Sequence, residues 1–132
     1  MKLMITGSRR ATEADYARLV AAIEKYAPGV GEILHGGAEG ADQLAGRYAR
    51  ENGLKETILR PDYQAHLPKL APLVRNQELV KRADGVIAFY CGAQGGGTAY
   101  TAKLAQVASK LLAEIHDAGS TSAQPQLTLC VS

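Results

Sequence analysis

The sequence has no tryptophan, one phenylalanine and only two cysteines, Cys91 and Cys130, far apart and without paired spacing. That excludes a disulfide framework and gives no zinc signature, so reduced thiols are expected and neither metal nor cofactor is predicted. Net charge is also scarce: fifteen Lys and Arg against thirteen Asp and Glu leave +2. This is too little for a nucleic-acid footprint by itself, so any anion site must be local. No apolar run approaches the roughly 20 residues of a membrane span. The opening run Leu3 to Thr6 stops at Gly7, too soon for a signal peptide. A soluble, cytoplasmic protein without membrane contact is the expectation.

What the chain does have is glycine and alternation. Its 132 residues, 46% hydrophobic and 21% charged, suit one domain over residues 1–132 with one core. Leu3 to Thr6, Glu32 to His35, Leu54 to Arg60 and Gly85 to Phe89 read as short buried strands. Between them, helical spacing runs from Thr12 to Ala27, from about Gly40 to Asn52 and from about Leu73 to Ala83. Asp62 to Pro72 reads as a long loop. After Thr98 an alanine-rich helix is expected to run through Ala102, Leu104, Ala105, Ala108, Leu111 and Leu112 to Ile115. Residues 117–125 read as a linker and 126–131 as a last, edge strand. Strands alternating with helices imply parallel pairing and right-handed crossovers. The expected fold is α/β, a three-layer Rossmann-like sandwich with a mostly parallel sheet of about five strands.

Three glycine-rich loops then fall at the carboxyl edge of the sheet, where such folds bind ligands. In the first, Gly7 permits close approach, Ser8 offers a donor and Arg9 a forked contact to phosphate. In the second, His35-Gly36-Gly37-Ala38-Glu39-Gly40-Ala41-Asp42, the glycines clear space for a ligand or a tight turn. Asp42 either stabilises the helix start or accepts from ribose hydroxyls, and His35 reads as a satisfied structural histidine. In the third, Gly95-Gly96-Gly97-Thr98 opens the longest helix, with Thr98 a cap or a phosphate ligand. Tyr63, Tyr90 and Tyr100 are candidates to stack on a base.

Together with Arg75-Asn76, these motifs, in this order, resemble the YspA/YpsA-related family of the SLOG superfamily, over most of the chain from the first strand to Ala105. The resemblance implies a Rossmann-like fold that binds or processes nucleotide-derived ligands. It also extends distantly to two groups of known role. In the LOG phosphoribohydrolases an arginine, which Arg75 resembles, works with a glutamate just after the glycine loop. Here Tyr100 and Thr101 follow Thr98 and no glutamate does, and neither can replace a carboxylate facing a cationic sugar. Glu39 or Asp42 is then the candidate acid or base. The DNA-processing proteins of natural transformation carry similar motifs and bind single-stranded DNA.

The preferred expectation is a sensor or binder of a nucleotide-derived small molecule, its phosphate on Gly7-Ser8-Arg9 and on Gly96, Gly97 and Thr98. An N-glycosidase is the second reading and single-stranded DNA binding the third. A homodimer through the alanine-rich helix is also expected.

Overall fold

The computed structural model describes residues 1–91 and 96–116. Five strands form one sheet in the order β3-β2-β1-β4-β5, every pair parallel. They are β1 (Lys2–Gly7), β2 (Glu32–His35), β3 (Lys55–Ile58), β4 (Gly85–Phe89) and β5 (Leu111–Ile115). The helices are α1 (Tyr16–Tyr26), preceded by a 3-10 turn at Glu13–Asp15, α2 (Ala41–Glu51), α3 (Ala71–Arg82) and α4 (Gly96–Val107).

Side-chain alternation along the strands makes the layers. Leu3, Ile5, Ile33, Ile87 and Phe89 point to one face, where Leu19 and Ile23 of α1 and Leu44, Ala45 and Tyr48 of α2 cover them. Met4, Leu34, Val86 and Ala88 point to the other, against Leu79 and Val80 of α3 and Ala102 and Ala105 of α4. Each fully buried Leu, Ile or Phe contributes about 1.5–3 kcal/mol, so the two-sided burial of β1 and β4 is what fixes the sheet. The expected sandwich is the observed one, and its sheet is parallel throughout.

One element differs from expectation. The helix after Thr98 stops at Val107, and Leu111–Ile115 is a strand paired to β4, with Val86 opposite Leu111 and Phe89 opposite Ile115. The stop is made by Ser109, at φ 60. Its N–H donates to Gln106 O at 3.0 Å, and the next N–H, of Lys110, donates to Ala105 O at 2.8 Å. That is a Schellman closure with serine where glycine is usual. Pro72, read as part of the preceding loop, instead lies in the first turn of α3, where its missing N–H costs no helical bond. The linker and last strand expected over 117–131 lie outside the described residues.

The chain winds from β1 to β2 and β3 on one side, then crosses to β4 on the other. The carboxyl ends of β1 and β4 therefore flank the switch point of the sheet, the position at which open α/β folds leave a crevice.

Candidate functional site

At that switch point lies a cavity of about 450 Å³, walled by the end of β1 (Met4 to Gly7), Ser8, Arg9 and Arg10, Gly36, Ala38 and Asp42, Pro72, Leu73, Arg75 and Asn76 of α3, and Gly97 and Thr98 of α4.

The first loop is held by its own backbone. Ser8 N–H donates to Phe89 O at 2.9 Å, and Ser8 O accepts from Ala41 N–H at 3.0 Å. The Ser8 hydroxyl donates to Cys91 O at 3.3 Å and accepts from Arg10 N–H at 3.0 Å. Gly7 is required by this packing, since a Cβ there would stand 2.5 Å from Phe89 O and 2.6 Å from Ala41 Cβ. Ser8 thus shapes the loop, and Arg9 and Arg10 are left exposed on the rim.

In the second loop, Asp42 Oδ2 accepts from Gly36 N–H at 3.1 Å and Ala38 N–H at 3.2 Å. Burial pushes the Asp42 carboxyl above the usual aspartate range, against the pull of these bonds and of Arg75. The loop glycines answer to protein neighbours: a Cβ on Gly36 would meet the Arg75 guanidinium, and one on Gly37 the guanidinium of Arg60. Gly40 has φ 76, and a Cβ there would meet Ser8 O at 2.3 Å. Neither Gly37 nor Gly40 lines the cavity, and Glu39 is exposed and outside it.

Arg75 crosses from α3 to this loop. Its Nη1 donates to Gly36 O at 2.8 Å and Leu59 O at 3.2 Å, and its Nε to Asn76 Oδ1 at 2.6 Å. Asn76 Nδ2 donates to Thr101 Oγ1 at 2.8 Å, and the Thr101 hydroxyl donates to Gly97 O at 2.9 Å. One polar chain therefore ties the second loop to the first turn of α4. Burial lowers the pKa of Arg75, and Arg9 nearby adds to the effect.

Two groups at the cavity wall are left over. The residues Thr6 and Thr98 are 7% and 8% exposed, and among the described residues neither hydroxyl has a partner. Buried hydroxyls ordinarily find one. Gly97 is the lining glycine whose missing Cβ faces open space. With the N-terminal end of α4, Arg9, Arg10 and Arg75 set, among the described residues, against a single lining acid, Asp42, the cavity can take an anion.

Most of the residues chosen on sequence meet here: Gly7, Ser8, Arg9, Gly36, Ala38, Asp42, Arg75, Asn76, Gly97 and Thr98. Gly95 lies outside the described residues, and Gly96 opens α4. The expectation that Tyr90 stacks on a base is corrected. It is 4% exposed, its ring is stacked on His116 at 4.6 Å, and its hydroxyl donates to Glu114 at 2.9 Å. Tyr63 is exposed but does not line the cavity, and the Tyr100 hydroxyl accepts from Gln77 at 2.7 Å. Sequence reasoning missed Thr6, although it directly precedes Gly7, and gave Thr101 no structural part. Among the described residues no group of three or more His, Cys, Asp or Glu can hold a metal, and no helix is long and apolar enough to cross a membrane.

A parallel sheet with a cationic, glycine-edged cavity at its switch point defines a Rossmann-like α/β protein with a ligand crevice. Residues 1–66 match the sequence profile of the YspA, cpYpsA-related SLOG family, and the chain belongs to that family. No curated protein matches it. Among solved structures it is similar to DNA processing protein A from Helicobacter pylori, described for its single-stranded DNA binding mode, with a TM-score of 0.61 and 24% identity. The similarity covers 84% of this chain and 63% of that one, and it is a likeness of fold.

Proposed function

We propose that the cavity binds the phosphate of a nucleotide-derived small molecule. The observation that carries this is the pair of buried hydroxyls, Thr6 and Thr98, that have no partner among the described residues, in a cavity where, among those residues, three arginines face one acid. Phosphate lies against Thr98, the start of α4 and Arg9; Asp42 Oδ1, which has no partner among the described residues, takes a ribose hydroxyl. A volume of about 450 Å³ falls within the roughly 300–1,000 Å³ of small-molecule pockets. Binding without turnover is favoured over glycosidic cleavage, because Thr101 is fully buried with its hydroxyl engaged, and Asp42 Oδ2 is committed to two N–H groups.

The test is a thermal-shift and product screen with nucleoside mono- and diphosphates and ADP-ribose-like compounds, on wild type and Arg9→Ala. Ligand at a hundred times its Kd adds about 2.7 kcal/mol of stability. A shift lost in the variant, with no free base released, supports the reading; base release replaces it with a hydrolase.

The second reading is single-stranded DNA, favoured by the likeness to DNA processing protein A together with the exposed ring of Tyr63. Oligonucleotide binding that weakens steeply with salt, with no response to mononucleotides, selects it. Self-association through the outer side of α4, where Val107 is 76% exposed, belongs to the same proposal, and a monomeric mass in solution removes it.

A further inference from the structure

The loop that walls the cavity between Gly36 and Ala38 hangs on two titratable side chains. Its three consecutive N–H groups all donate to them: Gly36 and Ala38 to Asp42 Oδ2, and Gly37 to His35 Nδ1 at 3.0 Å. Its carbonyl at Gly36 in turn holds Arg75.

A backbone N–H can only donate, so Nδ1 of His35 is the bare nitrogen of the ring. The ring proton then sits on Nε2 and is donated to Glu56 Oε2, 2.6 Å away. Space is reserved for this pair. At position 46, inside α2, a Cβ would stand 2.4 Å from Glu56 Oε2 and 3.2 Å from His35 Nε2, and the residue is glycine. Glycine within a helix costs about 0.5–1 kcal/mol relative to alanine. His35 itself is 2% exposed, so no water can replace its bond to Gly37 without the loop moving.

A second ring proton would set an N–H at Nδ1 against the Gly37 N–H, two donors face to face. The charged groups packed around the ring are Glu56 on β3, Asp42 on α2 and Arg50 on α2, which is bonded to Glu56 at 3.1 Å, while Arg75 of α3 grips the same loop at Gly36 O.

We infer that residues 36–38 form a proton-operated latch on the cavity: protonation of His35 breaks the Gly37 bond, loosens the loop that holds Arg75 and weakens anion binding. The effect on binding rests on the anion reading above; the latch itself does not.

The test follows backbone amide and histidine ring nitrogen resonances of the full chain between about pH 8 and about pH 5, where an ordinary imidazole changes charge. Sulfate affinity is measured beside them, since sulfate keeps its charge throughout. The Gly37 amide should shift and lose exchange protection in step with His35, with Arg75 Nε–H following. Sulfate affinity should fall roughly tenfold, the equivalent of one hydrogen bond. Asparagine bonds the N–H two residues on without titrating, so His35→Asn should keep the loop closed and sulfate affinity constant with pH. Glu56→Gln, which removes an anion favouring the imidazolium, should move the transition to lower pH. A Gly37 amide indifferent to His35 titration, or a His35 that keeps one charge across the range, overturns the latch. Opening of the loop with no sulfate bound at either end establishes the latch and rejects the anion site.

Discussion

The guanidinium of Arg75 occupies the volume a side chain at position 36 would need: a Cβ built on Gly36 stands 2.2 Å from Nη1 and 2.4 Å from Cζ. Nη1 then donates to the Gly36 carbonyl at 2.8 Å. The glycine and the arginine, 39 residues apart in sequence, are two halves of one contact between the second loop and α3.

Gly36→Ala should therefore act through Arg75. The guanidinium is the end of a flexible side chain and can swing aside, so the fold survives, but Gly36 O and Leu59 O lose their donor. A loss of about 1–2 kcal/mol is expected in urea denaturation, accompanied by weaker nucleotide binding. Unchanged stability together with unchanged binding would show that Arg75 does not hold the loop.

Gly97→Ala, by contrast, should separate stability from binding. Nothing lies within 4 Å of a Cβ there, and alanine in a helix is favoured over glycine by up to about 1 kcal/mol. Stability should hold or rise while phosphate affinity falls, read by denaturation and calorimetry on the same sample. Full affinity in a stabilised variant would move the phosphate away from the start of α4.

Gly40→Ala is the severe member of the set. Position 40 has φ 76 and ψ −123, a region essentially restricted to glycine, and the added Cβ would meet backbone atoms, Ser8 O at 2.3 Å and Arg9 Cα at 2.7 Å. Neither can swing away. A loss of about 3 kcal/mol or more is expected, visible as a collapse of the midpoint or as insoluble protein. A midpoint within error of wild type would contradict the packing of the first loop on α2.

These three glycines show what was legible in the sequence. Their clustering at strand ends marked the carboxyl edge of the sheet, and the strands β1, β2 and β4 were readable because short apolar runs stop at glycine or at a polar turn. What glycine composition does not reveal is which neighbour demands the missing side chain. At Gly7, Gly36 and Gly40 it is protein, and at Gly97 it is open space. The strand β5 was hidden for a different reason. Leu111, Leu112 and Ile115 continue the helical spacing of the preceding residues, and the closure at Ser109 uses neither glycine nor proline. Pairing with β4, a tertiary event, decides the outcome. The polar chain through Asn76 and Thr101 was invisible likewise, because two residues 25 positions apart carry no mutual signal in one sequence.

Thr101→Val tests that chain. Valine keeps the shape but removes the hydroxyl, stranding the buried Asn76 Nδ2, while the Gly97 carbonyl keeps its helical bond from the backbone N–H of residue 101. The unmet amide should cost about 1–3 kcal/mol, and Thr101→Ser should recover most of it. Equal stability of valine and serine variants would mean that water or a rearranged Asn76 satisfies the same groups.

Acid titration of stability should show two carboxylates working against each other. The bond from His35 holds the Glu56 carboxyl below the usual glutamate range, reinforced by Arg50. Its stabilisation is present above the unfolded pKa of about 4.3 and lost as pH falls through the lower folded value. Burial instead raises Asp42, so the native state binds that proton more tightly. Its contribution is full below the unfolded pKa of about 3.9 and is lost as pH rises through the folded one. Asp42→Asn retains an oxygen for the Gly36 and Ala38 N–H groups without the charge. Compared by denaturation at about pH 4 and about pH 7, it should gain on wild type at the higher pH. Glu56→Gln should show a shallower loss of stability in acid. A gap between Asp42→Asn and wild type that moves the other way would mean that Arg75 and the two backbone donors outweigh burial, leaving the Asp42 carboxylate as a net stabiliser of the loop.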